Sequence, residues 1–248
     1  MKWLSVFYGA LLTAALTLGQ GAQAQTTGDF EIAIKQDYAS AIKSMLAKGF
    51  DPNIKVANGQ PGLVLALREG SLEAAKAILA SPRLKVNQAN AAGETALMMA
   101  AFTGQMDIAK QLIAKGAIID GTGWTPLHYA ATKGQVDMIR YLLRLGADID
   151  AASPNGSTPL MMAAGYGSPE AVKLLIESGA DLDKRNQVGL SALDFAKRYE
   201  RPDAIKLLTQ AERFKTQGRV WQRRAVIPDI PASSDEAEPA VPASSSEQ

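Results

Sequence analysis

The chain has 248 residues, of which 47% are hydrophobic and 6% aromatic, and its formal net charge is +1. It contains no cysteine, which excludes disulfides, thiolate metal sites and a cysteine nucleophile. A single histidine, His128, nearly excludes the usual zinc sites and the serine–histidine catalytic arrangements. The abundance of alanine and leucine favours a helical protein with closely packed helices.

Residues 1–24 have the pattern of a secretory signal peptide. Lys2 gives a short positive region, residues 3–18 are mostly apolar, and Ala22 and Ala24 form a small-residue cleavage motif. We therefore expect cleavage after Ala24 and export to the bacterial periplasm, with secretion and an uncleaved anchor as alternatives. The apolar run is short for a membrane span, so we expect no membrane insertion after cleavage. Loss of Lys2 balances basic and acidic residues, so the net charge favours no nucleic acid.

A sequence phrase recurs through most of the remaining chain. Its clearest copy is TPLHYAATKG, and copies recur roughly every 33 residues, with starts at Gly28, Pro61, Thr95, Thr125, Thr158 and Ser191. In the copy at Thr125, the hydroxyl can cap a helix that begins at Pro126, and Gly134 suits a left-handed helix end. A second helix then follows, with apolar residues at helical spacing, before the phrase LLRLGADID ends the copy.

The sequence resembles the ankyrin repeat family through these motifs: TPLH at 125–128, the pair Ala130 and Ala131, Gly134, and LLRLGAD at 142–148. The resemblance implies a mainly α solenoid in which each repeat is a helix–turn–helix with a β-hairpin finger. Stacking of neighbouring repeats would supply the core. We expect a domain over 25–215 with five to six repeats including caps, near 28–57, 58–91, 92–120, 121–154, 155–187 and 188–215.

Several positions have a structural interpretation within this resemblance. His128 matches a consensus residue that hydrogen-bonds at the helix start, and Met98 and Met161 are among its equivalents in other copies. Asp37 and Glu200 replace the glycine in the first and last copies, as expected for caps. The apolar series four residues after each start should pack inward between repeats: Ile32, Leu65, Met99, Tyr129, Met162 and Phe195.

A row of basic residues on the second helices admits two interpretations. These residues could form an anionic-ligand groove, but an acid lies three residues before five of the six, which favours a neutralised solvent face. The row is Lys43, Lys76, Lys110, Arg140, Lys173 and Lys206.

The resemblance also predicts which residues face the concave groove, namely those after the alanine pair and the residue before the threonine. Phe102, Trp124 and Tyr166 fall there on consecutive central repeats, with basic residues nearby, a composition typical of a binding hot spot. Scattered surface aromatics are the alternative. The predicted partner-binding residues are Phe102, Trp124, Tyr166, Arg68, Glu69, Thr103, Thr132, Lys133, Arg198 and Tyr199.

Two further segments depart from the repeat. The finger near Gly121 should be short, which leaves a notch beside Trp124; whether this gap fits a partner or is a tolerated deletion stays open. Residues 216–248 are rich in Pro, Ser, Ala and acid and are expected to form a disordered tail. For residues 216–230, docking on the last repeat and an untethered chain both remain open.

The first functional hypothesis is a monomeric, non-enzymatic scaffold that binds an unidentified protein partner on its concave surface and needs no cofactor. An envelope-protection or immunity factor that shields or inhibits a partner protein is the alternative, since it would use the same binding surface. A third hypothesis is a hydrolase that uses Asp148, Asp150, Asp181 and Asp183. These carboxylates belong to the repeated GAD phrase, which indicates a role in the fingers.

Overall fold

A computed structural model describes residues 26–217. The predicted signal peptide and the tail beyond residue 217 lie outside the described residues. Within this range the chain forms twelve α-helices: α1 (Thr27–Lys35), α2 (Ala39–Ala47), α3 (Gly62–Glu69), α4 (Leu72–Leu79), α5 (Ala96–Thr103), α6 (Met106–Ala114), α7 (Pro126–Lys133), α8 (Val136–Arg144), α9 (Pro159–Tyr166), α10 (Pro169–Glu177), α11 (Ala192–Arg198) and α12 (Pro202–Thr216).

The helices form six consecutive pairs that stack in two layers. Each odd-numbered helix contacts the next odd-numbered helix, from α1 to α11, and the even-numbered helices form a second row beside them. We call the two rows the inner and outer helices. Each pair contacts mainly its sequence neighbours, which confirms the solenoid that the repeated phrase predicts.

The repeated leucine and alanine pair form the centre of this stack. Leu127, Ala130 and Ala131 on α7 are 0% exposed, and their counterparts on α5 and α9 are buried in the same way. Because alanine side chains are small, the inner helices can approach one another closely. The repeat phrase therefore specifies the spacing of the solenoid as well as its helices.

Threonine or serine begins several inner helices, as the sequence predicts. The hydroxyls of Thr95, Thr158 and Ser191 accept the backbone N–H three residues later, at 3.2 to 3.4 Å. Gly134 ends α7 in the left-handed conformation with φ 67°. A Cβ at Gly134 would also lie 2.7 Å from the backbone nitrogen of Ser168 in the next repeat. This glycine is therefore required by its conformation and by the close approach of its neighbour.

The first and last repeats replace that glycine with a residue that tolerates the same conformation. Asp37 has φ 54° and Glu200 has φ 52°. The Asp37 carboxylate accepts the backbone N–H of Ala74 at 2.7 Å, so it caps the start of α4 in the second repeat. Asp37 thus links the first repeat to its neighbour as well as ending α1.

Asparagine and aspartate side chains link successive repeats at one register position. Asn53 accepts the backbone N–H of Lys85 at 2.6 Å, and Asn87 accepts that of Ile118 at 2.9 Å. Asp120 and Asp150 do the same for the backbones of residues 148 and 181, at 2.9 and 3.0 Å. We call these contacts the inter-repeat staples.

The fingers differ from the predicted hairpins. Among the described residues, paired strands occur only at β1 (Lys55–Val56) and β2 (Gln60–Pro61), which are antiparallel. The fingers at 90–94, 153–157 and 186–190 are short turns, each closed by two backbone hydrogen bonds of 2.7 to 3.1 Å. In two of these fingers an asparagine accounts for the missing strands. The side-chain oxygens of Asn90 and Asn186 accept backbone N–H groups of their own turns, which would otherwise be available for pairing between strands.

Candidate functional site

A groove lies between the inner helices and the fingers of the last three repeats, and it has a volume of about 500 Å³. We call it the concave groove. Residues of α9 and α11 form its inner-helix side, and the turns at 153–157 and 186–190 form its finger side. The complete lining is Trp124, Thr132, Asn155, Ser157, Met162, Tyr166, Asn186, Val188, Leu190, Phe195, Arg198 and Tyr199.

The groove brings together half of the predicted partner-binding residues. Those that line it are Trp124, Thr132, Tyr166, Arg198 and Tyr199. The others lie nearer the amino-terminal end of the same face, on α3, α5 and α7 or at their ends: Arg68, Glu69, Phe102, Thr103 and Lys133. The predicted face therefore contains two separate groups of side chains.

Two tyrosines form the most exposed aromatic part of the groove. Tyr166 and Tyr199 are 42% and 39% exposed, and their ring centroids lie 4.4 Å apart. Their hydroxyl groups hydrogen-bond to each other. Burial and the hydrogen bond to Tyr199 raise the pKa of Tyr166 to about 12, so its phenol stays protonated at neutral pH. The pair therefore offers apolar ring surface and neutral hydroxyl donors at the same place.

Trp124 forms the opposite end of the groove and is half-buried. Its ring contacts His128 edge-on at a centroid distance of 5.2 Å and Tyr129 at 6.5 Å. The connection that presents it spans 115–125, which is shorter than the equivalent connection at 145–158. The two aromatic contacts fix the indole so that its remaining surface lines the groove.

Phe102 belongs to the other group of side chains. Its ring packs edge-on against Tyr129 at 6.1 Å, and the Lys133 ammonium lies 4.7 Å from its centroid. The nearby hydroxyls of Thr103 and Thr132 donate to the carbonyls of residues four positions earlier, at 2.8 and 2.7 Å. These two donors are already used within their own helices.

Glu94, which was not among the predicted partner-binding residues, contacts three side chains at this end of the face. Glu94 forms an ion pair with Arg68, and it accepts hydrogen bonds from Asn90 at 2.6 Å and from the Tyr129 hydroxyl at 3.0 Å. Burial opposes the charge of Glu94, but the two hydrogen bonds and Arg68 hold its pKa below the ordinary value. Burial and the neighbouring Glu94 raise the pKa of Tyr129. The charge of Arg68 is therefore compensated within the domain.

Three of the residues predicted to pack inward are placed differently, and one of them, Met162, is partly buried and lines the concave groove. Ile32 is 55% exposed, because it lies in the first repeat, where no preceding repeat covers α1. Tyr129 is only partly buried, since its hydroxyl reaches Glu94 on the neighbouring turn. Leu65, Met99 and Phe195 are buried as predicted. Glu94 directly precedes the threonine that starts one copy of the phrase, and Tyr129 lies four residues after the threonine that starts the next copy. These two positions in neighbouring repeats could have indicated the Glu94–Tyr129 hydrogen bond.

The family model for ankyrin repeats matches the chain in three overlapping segments, 30–120, 63–153 and 144–217. The chain belongs to the ankyrin repeat family. Alpha-latroinsectotoxin-Lt1a of Latrodectus tredecimguttatus is 32% identical over 92 residues, which are 37% of this chain and 6% of that protein. Poly [ADP-ribose] polymerase tankyrase of Caenorhabditis elegans is 35% identical over 72 residues, 28% of this chain and 3% of that protein. The chain thus spans only a small part of the length of these relatives.

Ankyrin repeats mediate protein–protein interaction and are typically non-catalytic. Among residues 26–217, no helix is long and apolar enough to cross a membrane. No group of three or more potential metal-binding side chains occurs in the same range.

His128 has the structural role that the ankyrin resemblance implies. It is 0% exposed, and its Nδ1 accepts the backbone N–H of Thr125 at 3.2 Å. Because Nδ1 is an acceptor, the proton lies on Nε2, which donates to the carbonyl of Ser157 in the next repeat at 2.9 Å. Burial lowers the pKa of His128. The histidine is thus a neutral link between two ankyrin repeats.

The finger carboxylates of the hydrolase hypothesis accept backbone hydrogen bonds. Asp148 and Asp181 accept the N–H two residues later, at 3.0 and 2.9 Å, within their own turns. Asp150 is an inter-repeat staple, and Asp183 forms an ion pair with Lys215. The same arrangement in successive repeats matches a structural function in the ankyrin fingers.

Two members of the outer basic row form acid–base pairs along their own helices. Lys76 pairs with Glu73 at 2.7 Å, as the three-residue spacing predicts. Lys173 instead lies 3.9 Å from Glu177, four residues later on α10. Lys76, Glu73 and Lys173 are exposed and Glu177 is partly buried, and ion pairs that reach solvent in this way contribute little to stability.

Proposed function

We propose that this ankyrin repeat protein is a non-enzymatic scaffold that binds a protein partner in its concave groove. The observation that carries the proposal is the lining of that groove, where Trp124, Tyr166 and Tyr199 come from three consecutive repeats. Large aromatic side chains that are already positioned lose little conformational freedom on binding. The volume of the groove, about 500 Å³, also lies within the range of about 300–1,000 Å³ that is typical of ligand-binding clefts.

The experiment is site-specific photo-cross-linking in cells that produce the full chain. A benzoylphenylalanine at position 166 places the reactive group in the groove, and one at position 38 places it on the exposed Tyr38 side chain of the first repeat. We expect a discrete adduct from position 166 and none of the same mass from position 38. Adducts of equal yield at both positions would contradict binding in the groove.

A pair of variants separates loss of binding from loss of folding. Tyr166→Ala combined with Tyr199→Ala removes the exposed rings of the groove, whereas Tyr38→Ala removes a more exposed ring elsewhere. With the cross-linker at Trp124, the double variant should lose the adduct and Tyr38→Ala should retain it. Thermal unfolding by circular dichroism should show that both variants remain folded.

We further propose that the protein acts in the bacterial periplasm after removal of residues 1–24. The supporting observation is the sequence pattern that ends at Ala24. Fractionation against a periplasmic marker, with the intact mass of the purified protein, tests this location. A mature chain that begins at Gln25 in the periplasmic fraction is expected, and a full-length chain in the cytoplasm would contradict the proposal.

A further inference from the structure

The basic side chains of the concave face differ in how their charges are compensated. Arg68 is paired with Glu94 at the amino-terminal end. Lys133, at the end of α7, and Arg198, in the concave groove, take part in none of the ion pairs formed among residues 26–217. The positive charge available to a ligand is therefore concentrated at the carboxy-terminal half of this face.

Among residues 26–217, no acidic side chain contributes to the lining of the concave groove. The carboxylate of Asp194 on α11 is directed to the helix start, where it accepts the Ser191 backbone N–H at 2.9 Å and the Ser191 hydroxyl at 2.8 Å. It also lies 3.5 Å from Arg185. Arg198 consequently lies in a groove whose other polar groups are hydroxyls, amides and backbone.

The two tyrosines add a hydrogen-bond donor beside this charge. Each phenol has one O–H, and only one of the two is needed for the hydrogen bond between Tyr166 and Tyr199. One O–H therefore remains to donate to a ligand in the groove. A guanidinium and a neutral hydroxyl that line the same groove form a donor set that suits a carboxylate.

Apolar side chains surround these donors. Met162, Leu190 and Phe195 line the floor and the finger side, and Val188 is 74% exposed at the tip of the last finger. Trp124 forms the end farther towards the preceding repeat. A ligand that occupies the whole groove must therefore present apolar surface next to its negative charge.

We infer that the concave groove binds an extended segment of a partner protein in which an aspartate or glutamate adjoins a large apolar side chain. Arg198 and the tyrosine hydroxyl pair receive the side-chain carboxylate, and the apolar side chain packs between Trp124 and Met162. This inference rests on the proposed function and names the partner chemistry at the same site. The charge of the groove supports it, because a basic or uncharged segment would leave Arg198 desolvated without a partner.

The experiment is selection from random linear dodecapeptides displayed on phage, with the purified protein as the immobilised target. Each peptide is joined to the coat protein at its carboxyl end, so every carboxylate belongs to a side chain. We expect the selected pool to be enriched in aspartate or glutamate next to Leu, Ile, Phe or Trp. A selected peptide with a fluorescent label then gives the affinity by anisotropy.

Charge reversal at Arg198 gives the decisive comparison. Arg198→Glu should weaken binding of the selected peptide at least about tenfold, as expected for loss of a charged hydrogen bond. Lys206→Glu makes the same change in net charge on the exposed side of α12 and should alter binding less than about twofold. Arg198→Gln, which keeps the size of the side chain, should also bind weakly. Both residues are exposed, and unfolding curves of all three variants should match that of the natural chain.

The outcomes separate this inference from the proposed function. A pool without acidic enrichment, whose peptides still require Tyr166 and Tyr199, would overturn the partner chemistry and leave the groove as a protein-binding site. Peptides that bind Arg198→Glu as tightly as the natural chain would have the same meaning. Peptides whose binding is unchanged when both tyrosines are replaced would contradict both the inference and binding in the groove. A pool in which no sequence is enriched would overturn the inference.

Discussion

Replacement of His128 by methionine tests the link between the fourth and fifth repeats. The chain itself supplies the precedent, because Met98 and Met161 occupy the equivalent positions and their sulfur atoms accept the threonine N–H at 3.5 and 3.4 Å. His128→Met should therefore preserve the helix start. It removes the Nε2–H hydrogen bond to the Ser157 carbonyl, which also accepts the Ser153 N–H at 3.0 Å. Since that carbonyl keeps one donor, the expected loss is about 1 kcal/mol.

The sign of the pH dependence follows from the lowered pKa of His128. The unfolded chain binds a proton near the ordinary value of 6.5, whereas the folded chain resists protonation because the ring is buried. The contribution of neutral His128 to the free energy of unfolding is therefore fully present above pH 6.5. This contribution is lost as the pH falls from 6.5 through the lower pKa of the folded state. One proton bound only by the unfolded chain changes the free energy of unfolding by at most about 1.4 kcal/mol per pH unit.

Urea unfolding of the natural chain and of His128→Met, from about pH 7.5 to about pH 5.5, measures this effect, since most carboxyl groups stay ionised in that range. The natural chain should lose stability on acidification, and the variant should lose less, so their difference narrows. His128 is the only histidine in the chain, so its Cε1–H resonance gives the folded pKa directly. A folded pKa at or above 6.5, or an equal pH slope in both proteins, would refute the reasoning.

Substitutions at Asp150, Gly134 and Glu200 test the repeat contacts by urea unfolding at neutral pH. Asp150→Ala should lower the free energy of unfolding by about 1 kcal/mol, because it removes an inter-repeat staple. Asp150→Asn should leave the free energy of unfolding unchanged, because asparagine keeps the acceptor oxygen and burial already raises the pKa of the aspartate, which disfavours its charge. An equal loss in both variants would contradict the staple. Gly146→Ala should lower the free energy of unfolding by roughly 1–2 kcal/mol, because Gly146 has a positive φ. Gly134→Ala should lower it further, because Gly134 also has a positive φ and, unlike Gly146, has the next repeat within contact distance of an added Cβ. Glu200→Gly should stabilise the last repeat by roughly 0.5–1 kcal/mol by relieving a left-handed glutamate, and no gain would show that its side chain compensates.

The helices could be predicted from the sequence because residues within each repeat determine where its helices begin and end. Thr125, Pro126 and Gly134 define the start and the end of α7 by chemistry that does not depend on distant residues. The finger conformation was less predictable. Asn90 and Asn186 satisfy the backbone of their turns with side-chain oxygens, so these segments close without a strand ladder.

The functional face was predictable only as a set of positions. Spacing placed Trp124, Tyr166 and Tyr199 on one side of the solenoid, and these three do line one groove. It could not show that Phe102 is joined to Tyr129 instead, because that contact depends on side-chain directions within two repeats. Nor could it show that Glu94 compensates Arg68, which leaves Arg198 as the basic group in the groove.

The proposed function would couple recognition in the concave groove to the stability of the last repeat. Arg198 is the last residue of α11 and Tyr199 follows it directly, and among residues 26–217 this repeat stacks against only one neighbouring repeat. Two contacts counter this weakness: the Arg201 guanidinium donates to the Gly167 carbonyl, and Lys215 pairs with Asp183 on the preceding turn. If α11 and α12 separated from the stack, the groove would lose its cation and one of its tyrosines together. A ligand that binds only the assembled groove therefore stabilises the last repeat, because binding selects the stacked state.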